Sequence, residues 1–122
     1  MVDLRPWSRT HLVSGKAEAL PWADATFGSL SCLFLFHELP RAVRLQVAGE
    51  MARVLRPGGT LVFLDSIQLG DYAPYDALLD RFPLAFHEPY YADYVDTDLD
   101  ALFFDAGLTA AGHTPAFLSK VM

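Results

Sequence analysis

A strand–helix–strand pattern constrains this chain more than any other feature of its sequence. The run from Ser29 to His37 is mostly apolar and typical of a strand, and residues 60–66 form a second such run. Between them, apolar residues recur at the spacing of one helix face: Val43, Val47, Met51 and Val54. Pro57 and the two glycines after it end the predicted helix. A crossover of this length joins parallel strands, and weak alternation predicts strands buried on both faces.

The rest of the chain predicts short elements within one domain, residues 1–122. Four are expected: a strand at 11–13, helices at 75–82 and 98–105, and a C-terminal antiparallel hairpin of strands at 108–113 and 116–121. Pro83 is expected to end the first of these helices, because proline lacks the amide that a helix interior needs. Thr97 is expected to cap the second. The order of elements predicts the α/β class.

Composition excludes several kinds of protein. Hydrophobic residues make up 52% of the chain, which excludes an intrinsically disordered protein. The net charge of −6 argues against binding to nucleic acid, which needs clustered cations. The longest purely apolar run, residues 32–36, is far too short for a membrane span. We therefore expect a soluble, cytoplasmic protein in which the single cysteine, Cys32, is a buried thiol. The four histidines lack metal-ligand spacing, so no metal site is expected.

Four segments together resemble class I S-adenosylmethionine-dependent methyltransferases, most closely those similar to the ubiquinone and menaquinone biosynthesis enzymes. They are Gly15 to Pro21, Phe36 to Leu39, the run E-x-x-R-V-L-R-P-G-G from Glu50 to Gly59, and Asp65. The resemblance covers roughly residues 11–122 and implies a Rossmann-like fold with S-adenosylmethionine as cofactor.

The resemblance also implies where the site residues lie. Ala17 and Glu18 match the loop on the adenine side of the cofactor. Phe36 and His37 match the end of the strand beside its methionine part. The aromatic loop over residues 86–91 matches the region that covers the methyl acceptor, and its candidate substrate-binding residues are His87, Glu88, Tyr90 and Tyr91.

The matched segments correspond to the C-terminal half of the family fold. The Gly-rich first turn of the family has no counterpart in the sequence, and Lys16 stands where the family usually has an acid. The resemblance thus predicts a truncated Rossmann-like domain whose strands keep the family order 4-5-7-6. The strand from Ser29 to His37 then lies at an edge, and an apolar edge strand needs a cover. We expect a homodimer or a complementing subunit there.

Several alternatives remain open on the sequence alone. The chain is either a methyltransferase that acts on a small molecule, with an incomplete cofactor site, or a non-catalytic remnant that serves as a binding or assembly module. It could also be a fragment of a longer enzyme. His37 is either a general base or a hydrogen-bonded residue at a strand end. Asp65 either lines the cleft or caps a turn. His87 and Glu88 either bind the acceptor or belong to a packed loop fixed by Pro89.

Overall fold

The computed structural model describes residues 10–86, 88–116 and 118–122. Its elements, in chain order, are β1 (Phe27–Leu33), α1 (Arg41–Val54), β2 (Leu55–Ser66), α2 (Asp76–Phe86), α3 (Tyr91–Val95), α4 (Leu99–Asp105), β3 (Thr114–Ala116) and β4 (Ser119–Val121). Two short 3₁₀ turns, Phe36–Glu38 and Ala73–Tyr75, precede α1 and α2.

The four strands form one mixed sheet in the order β1-β2-β4-β3. β1 and β2 are parallel, whereas β4 pairs antiparallel with both β2 and β3. This is the order that the resemblance implied, with β1 at an edge among the described strands. The predicted α/β class, the parallel pair and the C-terminal hairpin are therefore confirmed.

The first part of β2 requires glycine at one position for steric reasons. A Cβ atom on Gly59 would lie 2.8 Å from the Arg56 carbonyl oxygen, 2.8 Å from Leu55 Cγ and 2.9 Å from the Gly28 carbonyl oxygen. Gly58 adopts a positive φ of 76°, a backbone conformation that glycine reaches more readily than residues with a side chain. The glycine pair thus lets the backbone of β2 approach β1 closely.

The core lies on one face of the sheet. Cys32 and Phe63, neighbours across β1 and β2, pack with Val47 of α1 and Phe103 of α4. The opposite face is open: Leu33 is 60% exposed and Val62 is 45% exposed. The prediction that these strands are buried on both faces is wrong for the described residues, because the helices described here cover one face only.

Two expectations drawn from composition can be compared with the structure. Cys32 is buried, as predicted, and burial followed by the nearby Asp65 charge raises the pKa of its thiol to about 11. Among the described residues, no helix combines the length and the apolarity that crossing a bilayer requires.

The first predicted strand ends earlier than expected. β1 stops at Leu33, because Phe34 adopts a φ of 51° and so breaks the extended backbone. The chain then enters the 3₁₀ turn Phe36–Glu38, which places His37 in that turn rather than on a strand. Helix α1 follows and ends at Val54, and β2 begins directly at Leu55, five residues before the predicted start at residue 60, so Pro57 and the two glycines lie within β2 rather than between the two elements.

Four other boundary predictions are wrong. Residues 11–13 are exposed and belong to no strand of the described structure. Pro83 lies inside α2, which continues to Phe86 despite the lost backbone hydrogen bond. Asp98, not Thr97, caps α4, and its carboxylate accepts from the Ala101 amide. The hairpin strands are three residues each, and residues 108–113 are irregular.

Candidate functional site

A buried carboxylate organises the carboxyl end of the parallel strands. Asp65 lies near the end of β2 and is fully buried. Its Oδ2 atom accepts from the Phe36 amide at 2.7 Å, and Oδ1 accepts from the Ser66 amide at 2.8 Å. Oδ1 also lies 2.6 Å from Nδ1 of His37. Asp65 therefore holds the turn and the histidine ring at the same time, but it does not line the pocket itself, so of the two roles considered for it the turn-capping one fits these contacts.

This geometry defines the tautomer of His37. An ionised carboxylate only accepts hydrogen bonds, so the Nδ1 atom of the neutral imidazole must carry the proton. The Nε2 atom then keeps its lone pair. Its nearest acidic neighbour, Oε1 of Glu38, is 3.6 Å away, beyond hydrogen-bonding distance. The ring is thus oriented by one nitrogen and is available as a base through the other.

His37 opens into a pocket of about 280 Å³. The pocket lies where β1 and β2 end, which is where open α/β sheets bind ligands. Most of its lining is apolar and comes from α2, the segment after β1 and the loop before β4: Phe34, Leu78, Leu79, Phe82 and Leu118. The remaining lining residues carry polar groups: His37, Ser66, Glu88, Tyr91 and Ser119. Such a lining suits a small, largely apolar molecule with one polar group near His37.

Two tyrosines of α3 pack against the histidine. The rings of Tyr91 and Tyr94 lie edge-on to His37, with centroids 6.0 and 6.3 Å away. The Ser66 hydroxyl donates to the Ile67 carbonyl, so the Tyr91 hydroxyl donates to Ser66 Oγ. Burial raises the pKa of both phenols. For Tyr91, the hydrogen bond with Ser66 lowers the pKa, but burial is the larger effect. Both tyrosines therefore remain neutral hydrogen-bond donors around neutral pH.

The structure brings together only part of the predicted acceptor loop. Glu88 and Tyr91 line the pocket with His37. Tyr90 does not line it; its ring is partly exposed and its carbonyl oxygen accepts from Arg44. His87 lies outside the described residues.

The predicted cofactor residues do not enclose a ligand by themselves. Ala17 and Glu18 lie in a small turn closed by a bridge between Lys16 and Ala19, and neither lines a pocket described here. The Phe36 side chain is fully buried against Phe63 and Phe103, beneath His37. A nucleoside-sized cofactor therefore does not fit on these described residues alone, and their part in binding it stays a prediction.

The Glu-x-x-Arg motif of α1 has a structural explanation. Arg53 donates to Glu50, to the carbonyls of Leu20 and Trp22, and to Asp24, while Glu50 accepts from the Leu20 amide. The hydrogen bond from Arg53, then that from Leu20, lowers the pKa of the Glu50 carboxyl to about 2. The pair clamps the loop of residues 20–24, which directly follows the Ala17–Glu18 turn.

Arg44 is an interior residue of α1 despite its charge. Its side chain has 0% exposure. A signal was available, because Arg44 precedes Val47 by three residues and Met51 by seven, which is the spacing of one helix face. Arginine is rarely buried unless it is paired, so an arginine at this spacing is an unusual member of a core-facing helix stripe.

A second hollow, of about 590 Å³, lies at the amino end of β2. Its lining includes residues 57–60 of β2, part of α4 and the irregular segment 107–112. This is the end of the sheet opposite His37 and Asp65. The smaller pocket therefore remains the candidate site, because it holds the oriented histidine.

Comparison with known proteins identifies the class. Residues 3–63, half of the chain, match the family described as methyltransferase domain. The chain therefore belongs to the methyltransferase domain family, as the resemblance implied. The match includes β1, α1 and His37 but ends at Phe63, before Asp65 and the aromatic segment.

Individual relatives are similar over a little more than half of the chain. The demethylmenaquinone methyltransferase of Lysinibacillus sphaericus is 37% identical over 65 residues, which are 53% of this chain and 27% of that protein. An uncharacterized methyltransferase of Bacillus subtilis, YcgJ, is 37% identical over 71 residues, 56% of this chain and 24% of that protein. The chain thus spans about a quarter of the length of these curated relatives.

Proposed function

We propose that this chain supplies the acceptor side of an S-adenosylmethionine-dependent methyltransferase that acts on a small molecule, with His37 as the general base. The observation that carries the proposal is the 2.6 Å contact between His37 Nδ1 and Asp65 Oδ1 at the wall of a pocket. Membership of the methyltransferase family supports the reaction class. The pocket volume, about 280 Å³, suits a small acceptor.

The proposed proton transfer follows from the orientation of the ring. Nε2 of His37 takes the proton of an acceptor O–H or N–H group, and Asp65 stabilises the imidazolium that forms. The Nδ1 proton stays on the histidine throughout, because Asp65 acts by orientation and charge. The apolar lining excludes water and so strengthens these charge interactions. The acceptor would therefore become more nucleophilic.

The cofactor contacts must be completed by residues other than those described. They would come from further residues of the same protein or from a partner chain. Ala17 and Glu18 would contribute from the turn next to the clamped loop. Glu88 and Tyr91 of the pocket lining, with His87, are the proposed acceptor contacts, whereas Tyr90 lies outside that lining.

We propose the edge strand as the place where a partner joins, either a second copy of the chain or a complementing subunit. β1 is the outermost described strand, and its outer backbone row has no pairing strand among the described residues. Leu33, Phe34 and Val62 leave an apolar surface beside that edge. Covering this surface removes apolar area from water, which favours association.

The same apolar surface also supports the second candidate function, a non-catalytic assembly module. The two candidates differ in what the pocket does. A module needs the edge strand and its apolar face, whereas a methyltransferase also needs His37 and a bound cofactor. Ligand binding therefore separates them.

The deciding experiment is calorimetric titration of the purified chain with S-adenosylhomocysteine, with its oligomeric state measured by light scattering at the same concentration. Binding in the micromolar range by an assembled protein would support the methyltransferase. Absence of binding up to millimolar concentration would contradict a cofactor site in the purified protein and favour the module. Leu33→Lys places a charge on the apolar face, and we expect it to weaken both assembly and binding. A chain that is monomeric at all concentrations would contradict both partner versions.

A further inference from the structure

Arg44 connects three segments around the candidate site through one buried guanidinium. Nε donates to the Phe36 carbonyl at 3.0 Å, and Nη2 donates to the Tyr90 carbonyl at 2.9 Å. Nη1 donates to Asp93 Oδ2 at 2.6 Å and to Thr97 Oγ1 at 3.1 Å. A planar fork with several fixed donors can hold several acceptors in a defined geometry, which a lysine ammonium cannot do.

One end of this connection holds the turn that carries His37. The Phe36 amide donates to Asp65 at 2.7 Å, and the Phe36 carbonyl accepts from Arg44 at 3.0 Å. The amide and the carbonyl of Phe36, the residue before His37, are therefore both held, the amide by Asp65 and the carbonyl by Arg44. Because Asp65 also holds the His37 ring, the position of the ring depends on the two anchors together.

The other end holds the segment opposite the histidine. Tyr90 immediately precedes α3, and Tyr91, the first residue of that helix, lines the pocket. The Arg44 guanidinium also lies over the Tyr94 ring, 5.7 Å from its centroid. Burial raises the pKa of Asp93, but its bonds to Arg41 and Arg44 outweigh this and lower the pKa overall, so the ion pair persists at neutral pH.

We propose that Arg44 is a positioning residue that fixes the separation between the His37 base and the tyrosine wall of the acceptor pocket. The proposal rests on the proposed function for its catalytic meaning. Its structural content is independent of that function: loss of the guanidinium should release the His37 ring from its single tautomer. A buried ion pair that only stabilised the fold would leave that tautomer unchanged in a folded variant.

Arg41 provides a matched control. Its guanidinium bonds the same carboxylate, with Nη2 2.7 Å from Asp93 Oδ1. However, its side chain is 63% exposed, and its described hydrogen bonds go to Asp93 alone. Arg41→Lys and Arg44→Lys therefore make the same chemical change to the same ion pair, and only the second removes the bonds to Phe36 and Tyr90.

The test is ¹⁵N-histidine NMR of the full chain at one pH, high enough for neutral imidazole. The wild type and Arg41→Lys should show His37 protonated at Nδ1 only. Arg44→Lys should show averaged nitrogen shifts, because the ring samples both tautomers. An unchanged His37 signal in folded Arg44→Lys would overturn the proposal. If that variant does not fold, Arg44→Gln takes its place, because glutamine keeps one amide donor but cannot bond Phe36 and Tyr90 together, and an unchanged His37 signal in folded Arg44→Gln would also overturn the proposal.

Kinetics separate this inference from the proposed function. If the wild type neither binds S-adenosylhomocysteine nor transfers a methyl group, the proposed function fails while the His37 spectrum still decides the role of Arg44. If transfer is measured, Arg44→Lys should lower kcat about ten- to a hundredfold with little change in KM, because misplacing a base by a fraction of an ångström has effects of this order. Unchanged kcat and KM would overturn the positioning role.

Discussion

His37 Nδ1 and Asp65 Oδ1 lie 2.6 Å apart although 28 positions separate the two residues in sequence. The contact exists because β1 and β2 are parallel neighbours, so the segments that follow them emerge at the same edge of the sheet. Asp65 is fully buried, whereas the His37 side chain is 17% exposed toward the pocket. A hidden carboxylate thus orients a histidine that a ligand can reach.

Replacing Asp65 by asparagine tests this relationship directly. The amide is nearly isosteric but uncharged, so it cannot stabilise the imidazolium, and its NH₂ group must face the amide of either Phe36 or Ser66, which are both donors. We expect methyl transfer to fall by about 10² to 10⁴, the usual range for loss of general-base catalysis. The measurement is kcat together with the ¹⁵N-histidine spectrum.

The control for this variant is Glu38→Gln, since Glu38 is exposed and 3.6 Å from the other ring nitrogen. It should keep the wild-type tautomer and activity within about twofold. If Asp65→Asn retains wild-type activity with a folded spectrum, then His37 is not the base, and the hydrogen-bonded structural role considered from the sequence is the correct one.

Much of this fold could be predicted because it depends on local patterns. Val47, Met51 and Val54 recur at helical spacing, and α1 ends at Val54, three residues before the Pro57 that was expected to end it. The sheet order followed from the family resemblance. Boundaries set by tertiary contacts were missed: Phe34 breaks β1 through a left-handed backbone that no propensity predicts for phenylalanine.

The site was less predictable, since it depends on pairs distant in sequence. His37 and Tyr91 were identified from the resemblance, but the function of Asp65 depends on which strand lies beside β1. Arg44 was missed because its four acceptors come from segments up to 53 residues away. A charge surrounded by such partners cannot be distinguished from a solvated one by helical spacing alone.

The left-handed backbone of Phe34 predicts an unusual order of stability between two variants. Phe34 has a φ of 51°, and its side chain is half-exposed beside the pocket. Phe34→Ala and Phe34→Gly both remove the ring, so their difference isolates the backbone. A Cβ atom costs about 1–2 kcal/mol in this region, whereas glycine adopts it readily. We expect Phe34→Gly to be more stable than Phe34→Ala by about 1 kcal/mol in urea unfolding; equal or reversed stabilities would mean that the backbone here is not strained.

The clamp between Glu50 and Arg53 predicts a pH dependence of stability. The pKa of Glu50 is lowered from 4.5 to about 2 in the folded chain. Between these two pH values the folded chain therefore binds fewer protons at Glu50 than the unfolded chain does. Its contribution is therefore complete above about pH 4.5 and is lost as the pH falls toward 2. Thermal unfolding of Glu50→Gln should show a lower Tm than the wild type at pH 7 and converge with it near pH 2.

A surface acid serves as the reference for this titration. Asp80 is an exposed residue of α2, and Asp80→Asn removes one carboxylate as Glu50→Gln does. The Tm difference between Asp80→Asn and the wild type should stay small from pH 7 to pH 2. If the Tm of Glu50→Gln remains parallel to that of the wild type over the whole range, the loop at residues 20–24 is not clamped by the charge of Glu50.

Two glycines predict opposite effects of the same substitution. A Cβ atom on Gly59 would lie within 2.9 Å of two backbone carbonyl oxygens and 2.8 Å of Leu55 Cγ, and the carbonyls belong to chain that β1 and β2 hold in place. Gly59→Ala should therefore destabilise the chain by about 2–3 kcal/mol, the cost of overpacking a site that cannot relax.

Gly49, in contrast, is an exposed residue of α1 with no atom within 4 Å of its added Cβ. Gly49→Ala should stabilise the chain by up to about 1 kcal/mol, because alanine favours the helix. Chemical denaturation of both variants measures the difference, and a Gly59→Ala chain as stable as the wild type would mean that β2 does not approach Gly28 as closely as described.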